Sequence, residues 1–201
     1  EYYSYRDHLL ASVNGDFSGM KIVVDTANGS AYRIAKDVFL ALGAEVVLIN
    51  DAPNGTNINV RCGSTHPEIL TKVVVGYEAD LGLAYDGDAD RLIAVDRHGN
   101  IIDGDKIIAT LAMGMKRKGE LKENKVVTTV MSNMGFENYL KENGIELLRA
   151  NVGDRYVLEK MIEHNVAIGG EQSGHIILLQ YATTGDGVLT SLKLVEALRD
   201  E

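Results

Sequence analysis

The sequence has little cysteine and no long apolar run, and both absences narrow its class. Cys62 is the only cysteine, so a disulfide framework and a thiolate metal cluster are both excluded, and we expect Cys62 to be an inert loop thiol. No stretch approaches the roughly 18 consecutive apolar residues of a membrane span. The N-terminal segment also lacks the residue order of a secretory signal. These absences predict a cytoplasmic protein that does not bind membranes.

Charge of one sign is not concentrated anywhere in the sequence. The formal net charge is −9, and it is spread without long runs of one sign. A basic surface for nucleic acid is therefore absent, so we expect no nucleic-acid partner. A phosphate group would have to be held by a few well-placed cations. With 45% hydrophobic residues the chain is expected to form one large globular domain or two small ones.

The two ends of the sequence suggest a part of a longer chain. It begins at Glu1 without an initiator methionine, and it ends at Glu201 within an apolar helical pattern over residues 188–198. We therefore expect an excised or truncated piece.

Strand-like runs alternate with helical patterns along the whole chain, which predicts an α/β fold. In the first half the predicted strands are 20–26, 44–49, 80–85, 92–96 and 101–102, and the predicted helices are 29–42 and 67–78. A further helix is predicted at 104–115, after the boundary near Asp103. In the second half the predicted strands are 125–131, 145–150 and 166–170, and the predicted helices are 134–142 and 154–163. Both halves open with a lysine, a strand and an Asn near a Gly at a helix start, at residues 21–29 and 125–135. We expect two tandem domains, 1–102 and 103–201, with mixed, mostly parallel sheets flanked by helices.

The third predicted strand of the first half runs into Asp86-Gly-Asp-Ala-Asp-Arg91, here called the acidic loop (residues 86–91). Asp86, Asp88 and Asp90 alternate between small residues, so three carboxylates can converge on one hard cation. With open coordination positions, Mg²⁺ shared with a phosphate is the expected ion. Arg91 would supply a fork-shaped donor to that phosphate.

The acidic loop has three alternative interpretations. A Ca²⁺ loop of the EF-hand type fails, because it needs Gly and Glu where Arg91 and Arg97 stand. A solvated acidic turn capped by Arg91 is possible for such a short pattern. A phosphatase of the haloacid dehalogenase type would use the first Asp as nucleophile, but its pattern has Thr or Val where Asp90 stands.

The third strand of the second half runs into Glu171-Gln-Ser-Gly-His175, here called the EQSGH loop (residues 171–175). Glu171, Ser173 and His175 alternate around Gly174, so the loop could present a carboxylate, a hydroxyl and an imidazole to a sugar. A histidine in such a short motif is often a surface or packing residue.

Gly153-Asp154-Arg155 starts the preceding helix, and a helix N-terminus beside an arginine favours anions. We take Asp154 and Arg155 as further substrate-binding candidates. Asp154 could equally be a simple N-cap and Arg155 a surface charge. Ser132 and Asn133 are either helix caps or part of the site lining.

Four segments together resemble the α-D-phosphohexomutase family: the acidic loop, Cys62-Gly-Ser-Thr-His-Pro67, Val152-Gly-Asp-Arg-Tyr-Val157 and Gly169-Gly-Glu-Gln-Ser-Gly-His175. Their order matches the family's second and third domains over nearly the whole chain. The E-Q-S-G and V-G-D-R variants are similar to members that act on glucosamine phosphate, with other hexose phosphates as the fallback.

The resemblance implies a reaction in which a phosphoserine exchanges its phosphoryl group with a sugar phosphate through a 1,6-bisphosphate. Asp86, Asp88 and Asp90 would hold Mg²⁺, Arg91 would stabilise the moving phosphoryl group, and the EQSGH loop would bind sugar hydroxyls. The phosphoserine and the main phosphate loop would lie in an N-terminal and a C-terminal domain that are the implied partners. No T-A-S-H-N-P string occurs in this chain.

The general base stays open. His175 and Arg155 are candidates, and the lysine expected there in phosphomannomutases is missing from residues 128–133. A stand-alone protein that binds Mg²⁺ or sugar phosphate is the alternative from another functional class.

Overall fold

The computed structural model describes all 201 residues. Its strands are Lys21–Asp25 (β1), Glu45–Ile49 (β2), Leu81–Tyr85 (β3), Leu92–Asp96 (β4), Ile101–Ile102 (β5), Lys125–Thr129 (β6), Glu146–Ala150 (β7), Ile168–Gly170 (β8) and Ile176–Leu178 (β9). Its helices are Tyr2–Ala11 (α1), Ile34–Ala41 (α2), Glu68–Gly76 (α3), Gly104–Arg117 (α4), Met134–Glu142 (α5), Asp154–Glu163 (α6) and Gly187–Arg199 (α7), with 3₁₀ turns at Ser30–Tyr32 and Lys122–Asn124. None of the helices is long and apolar enough to cross a bilayer.

The chain forms two compact units, each built on one sheet. Unit 1 consists of residues 1–102 and 187–201, and unit 2 of residues 103–186. The unit 1 sheet has the order β2-β1-β3-β4-β5, and the unit 2 sheet has the order β7-β6-β8-β9. In both, the first three strands of the half are parallel and the later strands antiparallel. The fold is therefore α/β with mixed sheets, as predicted, and the two halves share one strand order.

Local chemistry sets the helix ends of both units. Asn133 accepts a hydrogen bond from the Phe136 backbone N–H at 2.7 Å, so it caps α5. Gly43 follows α2 and has a φ of +85°, the left-handed conformation in which helices commonly stop. The cap interpretation of Asn133 is thus the one that the structure shows.

Several predicted limits differ from the observed ones by one or two residues, such as 166–170 for β8, and two elements differ in ways that the local structure explains. The predicted helix 29–42 is a short 3₁₀ turn followed by α2. The predicted strand 125–131 ends at Thr129, because the Ser132 N–H turns back to the Thr129 carbonyl and Arg149 donates to the carbonyls of both residues. Val130 and Met131 are consequently exposed in a loop, although their apolar character suited a strand.

Each unit has its own apolar core. In unit 1 buried residues of β1, β3 and β4 pack against α3, with Leu70 and Val74 fully buried. In unit 2 residues of β6 and β9 pack against α6, where Val157 and Met161 are fully buried. The alternating burial of α3 and α6 follows the apolar spacing of a helix that covers one sheet face.

The last helix, α7, lies in unit 1, whereas the predicted second domain ran from 103 to 201. Most of its residues are buried, among them the polar Thr190, Ser191 and Glu196 as well as the apolar ones. Ser191 hydrogen-bonds the Tyr85 hydroxyl at 2.7 Å, and Lys193 donates to the Ser12 carbonyl at 2.9 Å. A helix buried on this many faces needs cover from several elements, and β3, β4 and α1 contact it.

Candidate functional site

The acidic loop connects β3 to β4 at the carboxyl end of the parallel part of the unit 1 sheet. Tyr85, the last residue of β3, is fully buried, and the loop begins at the next residue. Ligands of open α/β sheets bind at this end, where loops and helix starts converge. The acidic loop therefore has the position that the sequence predicted for it.

Backbone contacts from two other segments hold the acidic loop. The Gly87 N–H donates to the Asn59 side-chain oxygen at 2.9 Å, and the Gly87 carbonyl accepts from the Ser30 N–H at 2.9 Å. Within the loop, the Ala89 N–H donates to the Asp86 carbonyl at 3.0 Å, and Ala89 has a φ of +57°. Asn59 was not identified from the sequence, because it lies in a polar loop of mixed composition that carries no recognisable motif.

Asp86 and Asp90 lie together in the loop and share a hydrogen bond. Burial, together with the hydrogen bond and negative charge of Asp90, raises the pKa of Asp86 to about 6. The Arg91 N–H donates to the Asp86 carboxylate at 3.2 Å. The Arg91 Nε atom is buried and has no hydrogen-bond partner. Two adjacent carboxyls that repel each other, beside an unsatisfied cationic donor, suit a bound cation together with an anion.

Asp88 is exposed, and it is not among the groups that raise the pKa of Asp86. No group of three or more His, Cys, Asp or Glu side chains is arranged to hold a metal ion. The two neighbouring carboxyls nevertheless fit Mg²⁺, which usually takes one or two carboxylates and completes its shell with water and phosphate oxygens. The assignment of Asp88 to the metal stays a prediction.

The EQSGH loop connects β8 to β9 at the corresponding end of the unit 2 sheet. It is a tight turn in which the Gly174 N–H donates to the Glu171 carbonyl at 3.0 Å and the Glu171 N–H donates to the His175 carbonyl at 2.9 Å. Ser173 is exposed at its tip, whereas His175 is only 5% exposed. The hydroxyl of Ser173 is thus accessible to a ligand, and the His175 side chain is packed inside unit 2.

Glu171 is linked to the start of α6, as its carboxylate accepts a hydrogen bond from the Gly153 N–H at 3.2 Å. Asp154 accepts from the Arg155 N–H at 2.8 Å. The Arg155 guanidinium is highly exposed and donates to Glu159 at 2.8 Å, one turn along the helix. The structure thus brings Glu171 to Gly153, while Arg155 is directed along the outer face of α6.

Two further side chains order the loop after β6, and neither was singled out from the sequence. Asp105 is 1% exposed and accepts a hydrogen bond from the Asn133 N–H at 3.1 Å. Arg149 donates to the carbonyl and hydroxyl of Ser132 at 3.2 Å each, and to Glu137 at 2.6 Å. Single charged residues on a strand or a helix start carry no pattern that would reveal such contacts.

This geometry defines a class of α/β protein. It has two units with the same order of their first four strands and a polar loop at the carboxyl end of each sheet. Two family models match it: residues 3–99 match "Phosphoglucomutase/phosphomannomutase, alpha/beta/alpha domain II", and residues 103–201 match domain III of the same description. The chain belongs to the phosphoglucomutase/phosphomannomutase family. The domain III match includes α7, which packs in unit 1.

Individual proteins give a finer comparison. A phosphoglucosamine mutase of Fusobacterium nucleatum is 77% identical over 200 residues, which are 100% of this chain and 44% of that protein. A phosphoglucomutase/phosphomannomutase family protein of Burkholderia thailandensis has a similar structure, with a TM-score of 0.85, 27% identity and coverage of 100% of this chain and 44% of that one. The chain thus spans less than half the length of these relatives.

A second similar structure is N-acetylphosphoglucosamine mutase of Aspergillus fumigatus, crystallised in complex with GlcNAc-6P and magnesium. Its TM-score is 0.75 at 19% identity, and the match covers 100% of this chain and 48% of that one. At this identity the likeness concerns the fold alone.

Proposed function

We propose that this chain is the middle part of a phosphoglucosamine mutase, which interconverts glucosamine 6-phosphate and glucosamine 1-phosphate. The observation that carries the proposal is the 77% identity, over the whole chain, to a relative of that name. The two polar loops at the sheet ends support it, since one suits a cation and a phosphoryl group and the other suits a polyol. Membership of the family replaces the phosphatase alternative considered from the sequence.

In this proposal the acidic loop serves the phosphoryl group. Asp86, Asp88 and Asp90 would hold Mg²⁺, which when bound neutralises charge on the transferring group. Arg91 would donate from its guanidinium to the same phosphoryl group, and its unsatisfied buried Nε is a donor available for that role. The Aspergillus fumigatus mutase, whose fold is similar, was crystallised with GlcNAc-6P and magnesium.

The EQSGH loop would bind the sugar. Ser173 is exposed and can hydrogen-bond a ring hydroxyl, while Gly174 provides the turn that presents it. Glu171 would accept from a hydroxyl or an amino group with the carboxylate oxygen that does not face Gly153. We also keep His175, Asp154 and Arg155 as proposed substrate-binding residues. Because His175 is buried, it would support the conformation of the EQSGH loop rather than contact the substrate in this structure.

The whole reaction would need segments that this chain does not contain. The proposed phosphoserine would lie in a preceding domain and the main phosphate-binding loop in a following one. A phosphoryl group would pass from that serine to the sugar phosphate and give a 1,6-bisphosphate. This intermediate would reorient and then return its other phosphoryl group to the serine. This chain alone is then expected to be inactive.

The test compares this chain with the full-length protein that contains it. Each is given glucosamine 6-phosphate, Mg²⁺ and glucosamine 1,6-bisphosphate, and formation of glucosamine 1-phosphate is measured. We expect turnover by the full-length protein only. Turnover by this chain alone would contradict the assignment of the nucleophile to another domain.

Glucose and mannose 6-phosphates serve as substrate controls. A higher kcat/KM with glucosamine phosphate supports the proposed specificity, and a preference for mannose or glucose phosphate would make the parent a phosphomannomutase or phosphoglucomutase. A full-length protein that binds Mg²⁺ and sugar phosphate without turnover would instead indicate a binding protein.

A further inference from the structure

The acidic loop belongs to unit 1 and the EQSGH loop to unit 2. The next helix in the sequence after each of them belongs to the opposite unit. The acidic loop is followed by β4, β5 and then α4, yet α4 belongs to unit 2, where it contacts β8. The EQSGH loop is followed by β9 and then α7, yet α7 belongs to unit 1 and contacts β3 and β4. Both helices begin at the glycine of an Asp-Gly pair, Asp103-Gly104 and Asp186-Gly187.

Each of these glycines donates its backbone N–H to a ligand loop within its own unit. The Gly187 N–H donates to the Ala89 carbonyl of the acidic loop at 2.8 Å. The Gly104 N–H donates to the Gln172 carbonyl of the EQSGH loop at 2.9 Å. The first N–H groups of a helix have no partner within the helix, so a loop carbonyl that accepts from them is fixed against the helix start.

Both contacts are too close for any residue with a side chain. A Cβ at Gly187 would overlap the Arg91 carbonyl oxygen and lie 3.0 Å from the Ala89 oxygen. A Cβ at Gly104 would overlap the Glu171 oxygen and lie 2.8 Å from both the Gln172 oxygen and the Gly174 nitrogen. The obstructing atoms are backbone, so they cannot move aside as a flexible side chain can.

The start of α4 has a second attachment, made by side chains. Asp103 accepts from the Lys106 N–H at 3.0 Å as the helix cap and from the Gln172 side chain at 3.3 Å. The next residue but one, Asp105, accepts from the Asn133 N–H at 3.1 Å. The start of α4 therefore holds both the EQSGH loop and the loop after β6.

We propose that Gly187 and Gly104 are positioning residues, of which Gly187 sets the backbone of the acidic loop and Gly104 that of the EQSGH loop. The ligands assigned to the two loops rest on the proposed function, whereas the positioning itself rests on the contacts above. A shift of about 1 Å at a reacting centre can lower a rate roughly a hundredfold. Substitution of each glycine should therefore weaken the binding of one ligand and leave the binding of the other unchanged.

The first experiment substitutes each glycine by alanine in the full-length protein and measures Mg²⁺ dependence and sugar-phosphate KM separately. Gly187→Ala is expected to raise the Mg²⁺ concentration for half-activity about tenfold and to leave the sugar KM unchanged. Gly104→Ala is expected to raise the sugar KM about tenfold and to leave the Mg²⁺ dependence unchanged. Equal effects of both variants on both readouts, or no effect, would overturn the proposal.

Two control variants separate positioning from general stability. Gly76→Ala changes a helical glycine of α3 whose Cβ would meet nothing within 4 Å, so neither readout should move. Leu70→Ala removes a fully buried side chain of the unit 1 core and lowers stability without contacting either loop. If Leu70→Ala reproduced the Mg²⁺ effect of Gly187→Ala, the effect would be one of stability, and the positioning role of Gly187 would be refuted.

A second measurement needs neither activity nor substitution. NMR of the unsubstituted chain follows the Gly187 and Gly104 amide signals during titration with Mg²⁺ alone and with glucosamine 6-phosphate alone. Mg²⁺ should shift the Gly187 signal and the sugar phosphate the Gly104 signal; each ligand shifting the opposite glycine, or neither, would contradict the proposal. If the full-length protein had no mutase activity, the proposed function would be refuted. The positioning role would still be tested by comparing the amide signals of the two loops in Gly187→Ala and Gly104→Ala with those of the unsubstituted chain.

Discussion

The raised pKa of Asp86 gives a prediction that can be measured on this chain alone. Burial and the neighbouring Asp90 raise the Asp86 pKa from 3.8 to about 6 in the metal-free chain. A group whose pKa is raised on folding favours the protonated folded state. The stabilising contribution is therefore complete below pH 4 and is lost as the pH rises through 6.

The same pKa sets how many protons a metal displaces. At pH 5.5 a group with a pKa near 6 is about three quarters protonated, so binding of Mg²⁺ should release about 0.75 proton, falling to about 0.1 at pH 7. Below pH 6 the apparent Mg²⁺ affinity should fall about tenfold for each pH unit. A ¹³C NMR titration of the aspartate carboxyls measures the pKa. Calorimetry of Mg²⁺ binding in buffers of different ionisation enthalpy measures the number of protons released.

Two variants test the origin of the raised pKa. Asp90→Asn removes the neighbouring charge, so the Asp86 pKa should fall, yet stay above its ordinary value because burial is the larger cause. Asp88→Asn removes one charge from the same loop without touching the pair, and the Asp86 pKa should not change. An Asp86 that titrates near pH 4 in the unsubstituted chain would refute the reasoning.

Three further variants test other parts of the structure. Asp88→Asn should lower Mg²⁺ affinity without changing the urea unfolding midpoint, because the side chain is exposed; an unchanged Mg²⁺ titration would remove Asp88 from the metal site. Tyr85→Phe should lower the free energy of unfolding by about 1 kcal/mol, since it deletes the buried hydrogen bond to Ser191; a double-mutant cycle with Ser191→Ala should show coupling, and strict additivity would contradict it. Glu171→Gln keeps an acceptor for the Gly153 N–H, so stability should hold while kcat/KM of the full-length protein falls at least tenfold; unchanged kinetics would exclude Glu171 from substrate binding.

Periodicity and turn residues were sufficient to predict most strands and helices, because each element buries one face against its neighbours. Helices α5 and α6 were predicted with their observed limits. The extension of β6 to Met131 was wrong, since apolar residues continue beyond the point where Arg149 and a turn end the strand. Helix α1 was not predicted, and its weakly amphipathic sequence explains why.

The sequence could locate the acidic loop and the EQSGH loop, but not the contacts that hold them in place. The alternation of Asp86, Asp88 and Asp90 was visible, yet the pairing of only two of them depends on how the backbone turns at Ala89. The contact of Gly87 with Asn59 joins residues far apart in the sequence, and no local pattern encodes it. Likewise an apolar helix pattern indicates burial without indicating which sheet provides it, so the location of α7 required the structure.

The location of α7 affects the order in which the chain can fold during synthesis. Unit 1 starts first, but its last helix is translated only after residues 103–186 have been made. At an elongation rate of about 5 to 20 residues per second, that interval is about 4 to 17 s. During this time the strand face that α7 covers lacks that helix, and the Tyr85 hydroxyl lacks its contact with Ser191, so we expect chaperones to bind nascent unit 1. Unit 2 can complete its own sheet and core in the same interval.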